Sequence, residues 1–78
     1  MAVEANVVKE LVAVQIGAVS VSESDRIVED LGAESMDIVN IIAAVEERYA
    51  VRIEESLLPD IATVGDLVGL VQRLLPGE

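Results

Sequence analysis

Cysteine and histidine are both missing from this 78-residue chain, and so are tryptophan and phenylalanine. Without cysteine there is no disulfide framework, no thiolate nucleophile and no thiolate metal ligand. Without histidine the usual general base at neutral pH is gone, together with the commonest zinc ligand and every Ser-His or Cys-His pair. Basic residues are scarce as well: five Lys and Arg stand against 15 Asp and Glu, a formal charge of -10. Phosphate polyanions attract Lys and Arg, so this balance excludes nucleic acid and anionic membrane surfaces and favours a basic protein partner. Long apolar runs are lacking too. Although 53% of the residues are apolar, charges interrupt every stretch before spanning length, and Met1-Ala2-Val3-Glu4 is not a basic region followed by an apolar block. The expected location is the cytoplasm.

What remains is an aliphatic core of Val, Leu, Ile and Ala with Tyr49 as its one aromatic ring. The length suits a single domain over 1–78, too small for a deep catalytic cleft. Val3, Val7, Leu11 and Val14 recur at helical spacing and predict an amphipathic helix over Val3 to Ile16, stopped by Gly17. From Ala18 to Gly32 the period fades into a long loop. There Ser22-x-x-Asp25 suits a capped turn, and Ile27, Val28 and Leu31 tack the segment onto the core.

Met36 to Tyr49 carries the strongest helical pattern. Val39, Ile42, Val45 and Tyr49 form one stripe, widened by Ile38 and Ile41, while Met36, Asn40, Ala43 and Glu47 form a second face, part apolar and part acidic. That face is either a buried edge or a docking stripe, and periodicity weighs the two equally. Val51 to Ile61 reads as a connector with one short helical turn, Leu57 and Leu58 inward and Pro59 limiting it. A last helix opens at Thr63-x-x-Asp66, buries Val64, Leu67, Val68, Val71 and Leu74 or Leu75, and stops at Pro76-Gly77. The expected fold is all-α: a small bundle of three principal helices and a short fourth, with a long first connection.

Ser35 stands where the loop gives way to the second helix. A phosphate esterified there gains from backbone N–H groups without intrahelical acceptors and from the positive end of the helix dipole. By position alone, however, a serine at such a point is an N-cap.

The surrounding residues change that weighing. Asp30-Leu31-Gly32-Ala33-Glu34-Ser35-Met36-Asp37, followed by an acidic and aliphatic helix ending Val45-Glu46-Glu47-Arg48-Tyr49, resembles the acyl carrier protein signature D-L-G-A-D-S-L-D. Ile27-Val28-Glu29, Ile53 and Ile61-x-Thr63-Val64 extend the resemblance over essentially the whole chain. It implies a four-helix bundle whose third helix is short, in a stand-alone carrier that is not itself an enzyme. It also implies 4'-phosphopantetheine attached to Ser35 from coenzyme A by a phosphopantetheinyl transferase. The arm's thiol then holds acyl groups as thioesters, which explains how a chain without Cys or His takes part in thiol chemistry.

By the same resemblance the acyl chain slips between the helices, with Val39, Ile42, Val45, Ile53, Ile61, Leu67 and Val71 as candidate pocket residues. Partner enzymes with basic patches, such as acyltransferases and ketosynthases, meet the second helix. Asp37, Glu46 and Glu47 match acidic positions of the family there, and Met36 the apolar residue after the serine, with Glu34, Asn40 and Ala43 completing the face. A monomer suits such a shuttle. Departures are Glu34 for Asp, Met36 for Leu, and Asn40 and Arg48 where acids are common; the last two thin the negative face.

Two other readings compete. A peptidyl or aminoacyl carrier typically shows Gly-Gly-(His or Asp)-Ser, which Gly32-Ala33-Glu34-Ser35 matches poorly. A non-carrier acidic interaction module would keep Ser35 as a cap only. Paired carboxylates such as Glu46 with Glu47 do not suggest an enzyme, since adjacent helical residues diverge. No Asp-x-Asp-x-Asp-Gly loop suggests calcium.

Overall fold

The computed structural model describes residues 4–75. Helix α1 spans Ala5–Ile16, α2 spans Ser35–Tyr49 and α3 spans Val64–Leu74, with a 3₁₀ helix at Glu55–Asp60 between the last two. The expected all-α architecture of three principal helices and one short one is therefore present, with a long connection after the first. Val3 and Pro76-Gly77, the expected outer ends of the first and last helices, lie outside the described residues.

Helix ends follow from local chemistry. Gly17 adopts φ 72, a left-handed conformation that costs glycine little, and its N–H reaches the Ala13 carbonyl to close α1. Thr63 and Asp66 cap α3 reciprocally: Asp66 N–H donates to Thr63 Oγ1 and Thr63 N–H to Asp66 Oδ2, both at 3.0 Å. Ala62 N–H donates to the same Oδ2 at 3.0 Å. Those backbone bonds, Thr63 first, hold the Asp66 carboxyl below the usual carboxylate range.

The core draws on all three helices. Val8 and Val12 of α1, Ile41 and Val45 of α2, and Val64, Leu67 and Val71 of α3 are the largest side chains less than 2% exposed. Each such burial contributes about 1.5–3 kcal/mol relative to exposure. Helix α1 packs on both α2 and α3. Its buried line runs through Val8 and Val12, one position on from the expected Val7 and Leu11, and Val14 is 68% exposed. The reason is that a helix flanked by two neighbours buries the centre of a broad apolar arc, so Val7 and Leu11 become its half-buried shoulders. In α2 the buried line is Ile41, Val45 and Tyr49, and Val39 turns outward, contrary to the expected stripe.

The long loop is anchored by backbone, which its sequence gave no means of reading. Ile27 N–H donates to the Ala62 carbonyl at 2.9 Å, Val64 N–H to Asp25 at 3.0 Å and Gly65 N–H to Glu23 at 2.8 Å, around an antiparallel bridge of Arg26 with Thr63. The loop carbonyls thus accept from two first-turn donors of α3 that have no intrahelical partner. Ser22 and Asp25 form the expected turn: Ser22 N–H donates to Asp25 Oδ2 at 2.8 Å. Ile27 is buried and Leu31 half-buried as expected, but Val28 is 56% exposed.

Candidate functional site

The segment leading into α2 assigns a structural task to each residue before Ser35. Asp30 accepts from Arg26 N–H at 2.8 Å and from the Arg26 guanidinium at 3.2 Å and 3.3 Å, folding 26–30 into a turn. The guanidinium bond first, then the backbone bond, lowers the Asp30 pKa; the same guanidinium bond and the carboxylate's charge raise that of Arg26. Leu31 packs against the core. Gly32 adopts φ 71, a conformation that costs an L-residue roughly 1–2 kcal/mol. Ala33, 7% exposed, plugs into the core.

Glu34 is the N-cap of α2 in extended conformation, and its N–H donates to Asp37 Oδ2 at 2.9 Å. Ser35 is therefore the first helical residue and not the cap. Its side chain is exposed and makes no hydrogen bond to any described residue. A helix's first turn leaves N–H groups without intrahelical acceptors, so the hydroxyl stands beside donors suited to a phosphodiester. The residues present fit a phosphopantetheine ester at this position.

Helical geometry, about 100° per residue, sorts the rest of α2. Met36, Asn40, Ala43 and Glu47 share one exposed arc, with Met36 66% exposed. Val39 joins them at 55% exposure; the spacing Met36, Val39, Ala43 was the available sign. Glu34 is exposed at the head of the helix. Two of the expected docking acids are otherwise engaged. Asp37 is half-buried and holds the Glu34 N–H, and Glu46 Oε2 accepts from Ile53 N–H at 2.7 Å. Arg48 does not thin the acidic face: it lies about 100° round from Glu47, with its guanidinium carbon 5.1 Å from the centre of the Tyr49 ring.

Two apolar clefts open between α2 and the 3₁₀ helix. The larger, about 400 Å³, is lined among others by Val28, Ile38, Ile42, Leu58, Ile61 and Leu67. The smaller, about 210 Å³, lies against Val39, Ile42, Ala43, Ile53 and Leu58. Ser35, Ile38 and Ile42 fall within about 60° of arc on α2, so the larger cleft runs along the Ser35 side of that helix. Of the expected pocket residues, Ile42 lines both clefts, Ile61 and Leu67 the larger, and Val39 and Ile53 the smaller. Val45 and Val71 line neither; both are fully packed in the core at 0% exposure. Glu55, which was not among the expected pocket residues, lines both.

A bundle with an unengaged serine at the mouth of its second helix, beside an apolar cleft, has the form of a prosthetic-group carrier. The family model described as "Phosphopantetheine attachment site" matches residues 6–71. The chain is 38% identical over 69 residues to an acyl carrier protein of Sulfurovum sp., covering 86% of this chain and 92% of that one. It is 39% identical over 67 residues to one of Wolinella succinogenes, covering 83% and 88%, and 31% identical over 70 residues to one of Thermotoga maritima, covering 87% and 86%. The chain belongs to the acyl carrier protein family. It is a phosphopantetheine carrier of acyl intermediates, in a family whose members are carriers and work with biosynthetic enzymes. Among the described residues no helix is long and apolar enough to cross a membrane.

Proposed function

We propose that Ser35 is the attachment point of 4'-phosphopantetheine and that this chain shuttles acyl thioesters among the enzymes of fatty-acid synthesis. The observation carrying this reading is the division of labour in Asp30–Ser35: turn, packing, left-handed bend, plug and cap are all filled before Ser35, whose exposed hydroxyl has no partner among the described residues. When bound, the arm supplies the thiol that holds the acyl group. Loading forms a bond from Ser35 Oγ to phosphorus and breaks the pyrophosphate bond of coenzyme A. The hydroxyl proton goes to the transferase's base, and adenosine bisphosphate leaves.

The chain's own part is to present the hydroxyl and receive the cargo. The first turn of α2 orients Oγ outward and offers backbone donors to the ester. The clefts lined by Ile42, Ile53, Ile61, Leu67 and Val39 shelter an acyl chain from water. Partners with basic patches, the transferase, acyltransferases and ketosynthases, dock on Met36, Val39, Asn40, Ala43 and Glu47, with Glu34 at the rim. A net charge of -10 steers them. The chain acts as a single-domain monomer over 1–78 in the cytoplasm.

The test is intact mass after incubation with coenzyme A and a broad-specificity phosphopantetheinyl transferase. The wild-type chain is expected to gain one phosphopantetheine and Ser35→Ala none. A wild-type chain that stays unmodified, or a mutant that gains the same mass, overturns the assignment.

A further inference from the structure

The larger apolar cleft has one residue out of keeping with the rest. Among the described residues, Glu55 is the only ionisable side chain on its wall, and with Ile42 and Leu58 it also borders the smaller cleft. These three residues form the wall that the two clefts share. The smaller cleft's other acid, Glu46, is committed to the Ile53 N–H at 2.7 Å, whereas the Glu55 carboxylate has no hydrogen bond or ion pair among the described residues. The backbone of Glu55 is nevertheless fixed from both sides. Ile53 is tied to α2 just before it, and in the 3₁₀ helix Leu57 N–H donates to the Glu54 carbonyl at 2.9 Å and Ile61 N–H to that of Leu58 at 3.0 Å.

Position and chemistry decide what such a group does. Glu55 is exposed, so its carboxylate stands at the rim and stays hydrated while the clefts are empty. An alkyl chain that fills the clefts covers this rim and strips water from the carboxylate without replacing its hydrogen bonds, which is unfavourable. A carboxylate accepts hydrogen bonds and donates none. A hydroxyl on the chain therefore replaces the lost water with a charge-assisted bond, and a methylene or a keto oxygen does not. An apolar pocket alone discriminates weakly against an added hydroxyl, but one with a hydrogen-bonding group in place favours it. The hydroxyl that meets a rim residue lies on the part of the cargo that stays at the rim, within the first few carbons from the thioester and not on the buried tail.

We propose that Glu55 is a specificity-determining residue: it makes the clefts prefer acyl chains with a hydroxyl near the thioester, of the 3-hydroxyacyl class, over plain saturated chains. That the clefts receive cargo at all rests on the carrier reading above; the choice between cargoes rests on Glu55.

The test is protection of the thioester on the full chain. Wild type, Glu55→Leu and Glu55→Gln are loaded at Ser35 from octanoyl-coenzyme A or 3-hydroxyoctanoyl-coenzyme A by the broad-specificity transferase, and cleavage by hydroxylamine is followed by intact mass. Each rate is compared with that of the same thioester on free pantetheine, which cancels the intrinsic reactivity of the two acyl groups. In the wild type 3-hydroxyoctanoyl is expected to be protected about threefold to tenfold better than octanoyl, as one partly exposed hydrogen bond would give. Glu55→Leu keeps an apolar wall without the acceptor and is expected to protect octanoyl at least as well as 3-hydroxyoctanoyl. Glu55→Gln, whose neutral oxygen still accepts, is expected to keep a smaller preference than the wild type, and it decides the matter should the Leu variant fail to fold. A wild type that does not distinguish the two cargoes, or variants that keep its full preference, overturn the inference. A wild-type chain that takes up no acyl-phosphopantetheine instead overturns the carrier reading, and the inference with it.

Discussion

The carboxylate of Asp37 accepts the backbone N–H of Glu34 at 2.9 Å, so a hydrogen-bonded bracket closes around Ser35 and Met36 without using either side chain. The acid after the serine, which the family resemblance assigns to docking, is thereby an element of the helix's own start. Asp37→Ala is expected to lower stability by about 1 kcal/mol, the usual worth of an N-terminal cap. Urea denaturation checks this. No loss of stability would leave Asp37 free to be a partner contact after all.

Ser35→Ala makes the opposite case. A capping serine costs about 1 kcal/mol when truncated, whereas a side chain with no bond to lose changes stability by less than about 0.5 kcal/mol. The expectation is an unchanged denaturation midpoint together with complete loss of phosphopantetheine loading.

Tyr49 is buried with its hydroxyl unpartnered among the described residues. Burying a hydroxyl without a hydrogen bond is unfavourable by about 1–3 kcal/mol. Tyr49→Phe should therefore raise the melting temperature and leave loading intact. A lowered melting temperature would show that the hydroxyl has found a partner such as an internal water.

Gly32 and Gly65 separate two reasons for glycine. A Cβ on Gly32 meets nothing within 4 Å, but φ is 71; at Gly65 it meets the Glu23 carbonyl at 3.2 Å with no unusual φ. Gly32→Ala is expected to cost roughly 1–2 kcal/mol from backbone strain alone. Gly65→Ala should instead push on the loop and loosen its backbone bond to Glu23. Exchange at the Gly65-position amide reports the second, and equal protection in both proteins would contradict it.

The pH response has two limbs. A chain at -10 repels itself, so lowering pH from 7 to about 5, or adding salt, should raise the melting temperature. Asp66 and Asp30 have depressed pKa values when folded. Their contribution is full above the unfolded value, near 4, and is lost as pH falls through the folded one. The melting temperature should then drop below about pH 4, more shallowly in Asp66→Asn. Matching acid limbs in the two proteins would remove Asp66 from the account.

Much of this was legible in the residues because local signals and the fold agree. Gly17 announces its helix end by having no side chain, and Thr63 with Asp66 and Ser22 with Asp25 announce their turns through side chains whose partners lie three positions away. Asp30 to Ser35 likewise reads as a unit. Two kinds of feature were not legible. An aliphatic chain supplies more apolar positions than its helices have buried arc, so Val14 and Val39 match the period of the core yet face solvent. And where the partner is a backbone group, no residue type betrays it: Glu46 reaches the Ile53 N–H seven positions on, and the carbonyls of Asp25 and Glu23 serve α3 across the bundle.

The pairing of Arg26 with Thr63 makes the approach to Ser35 a mooring. Since that stretch is laced to the start of α3, anything hung from the serine swings about a stationary pivot. The distance a passenger travels is then set by the length of its own line, and delivery to a distant partner requires the whole molecule to turn.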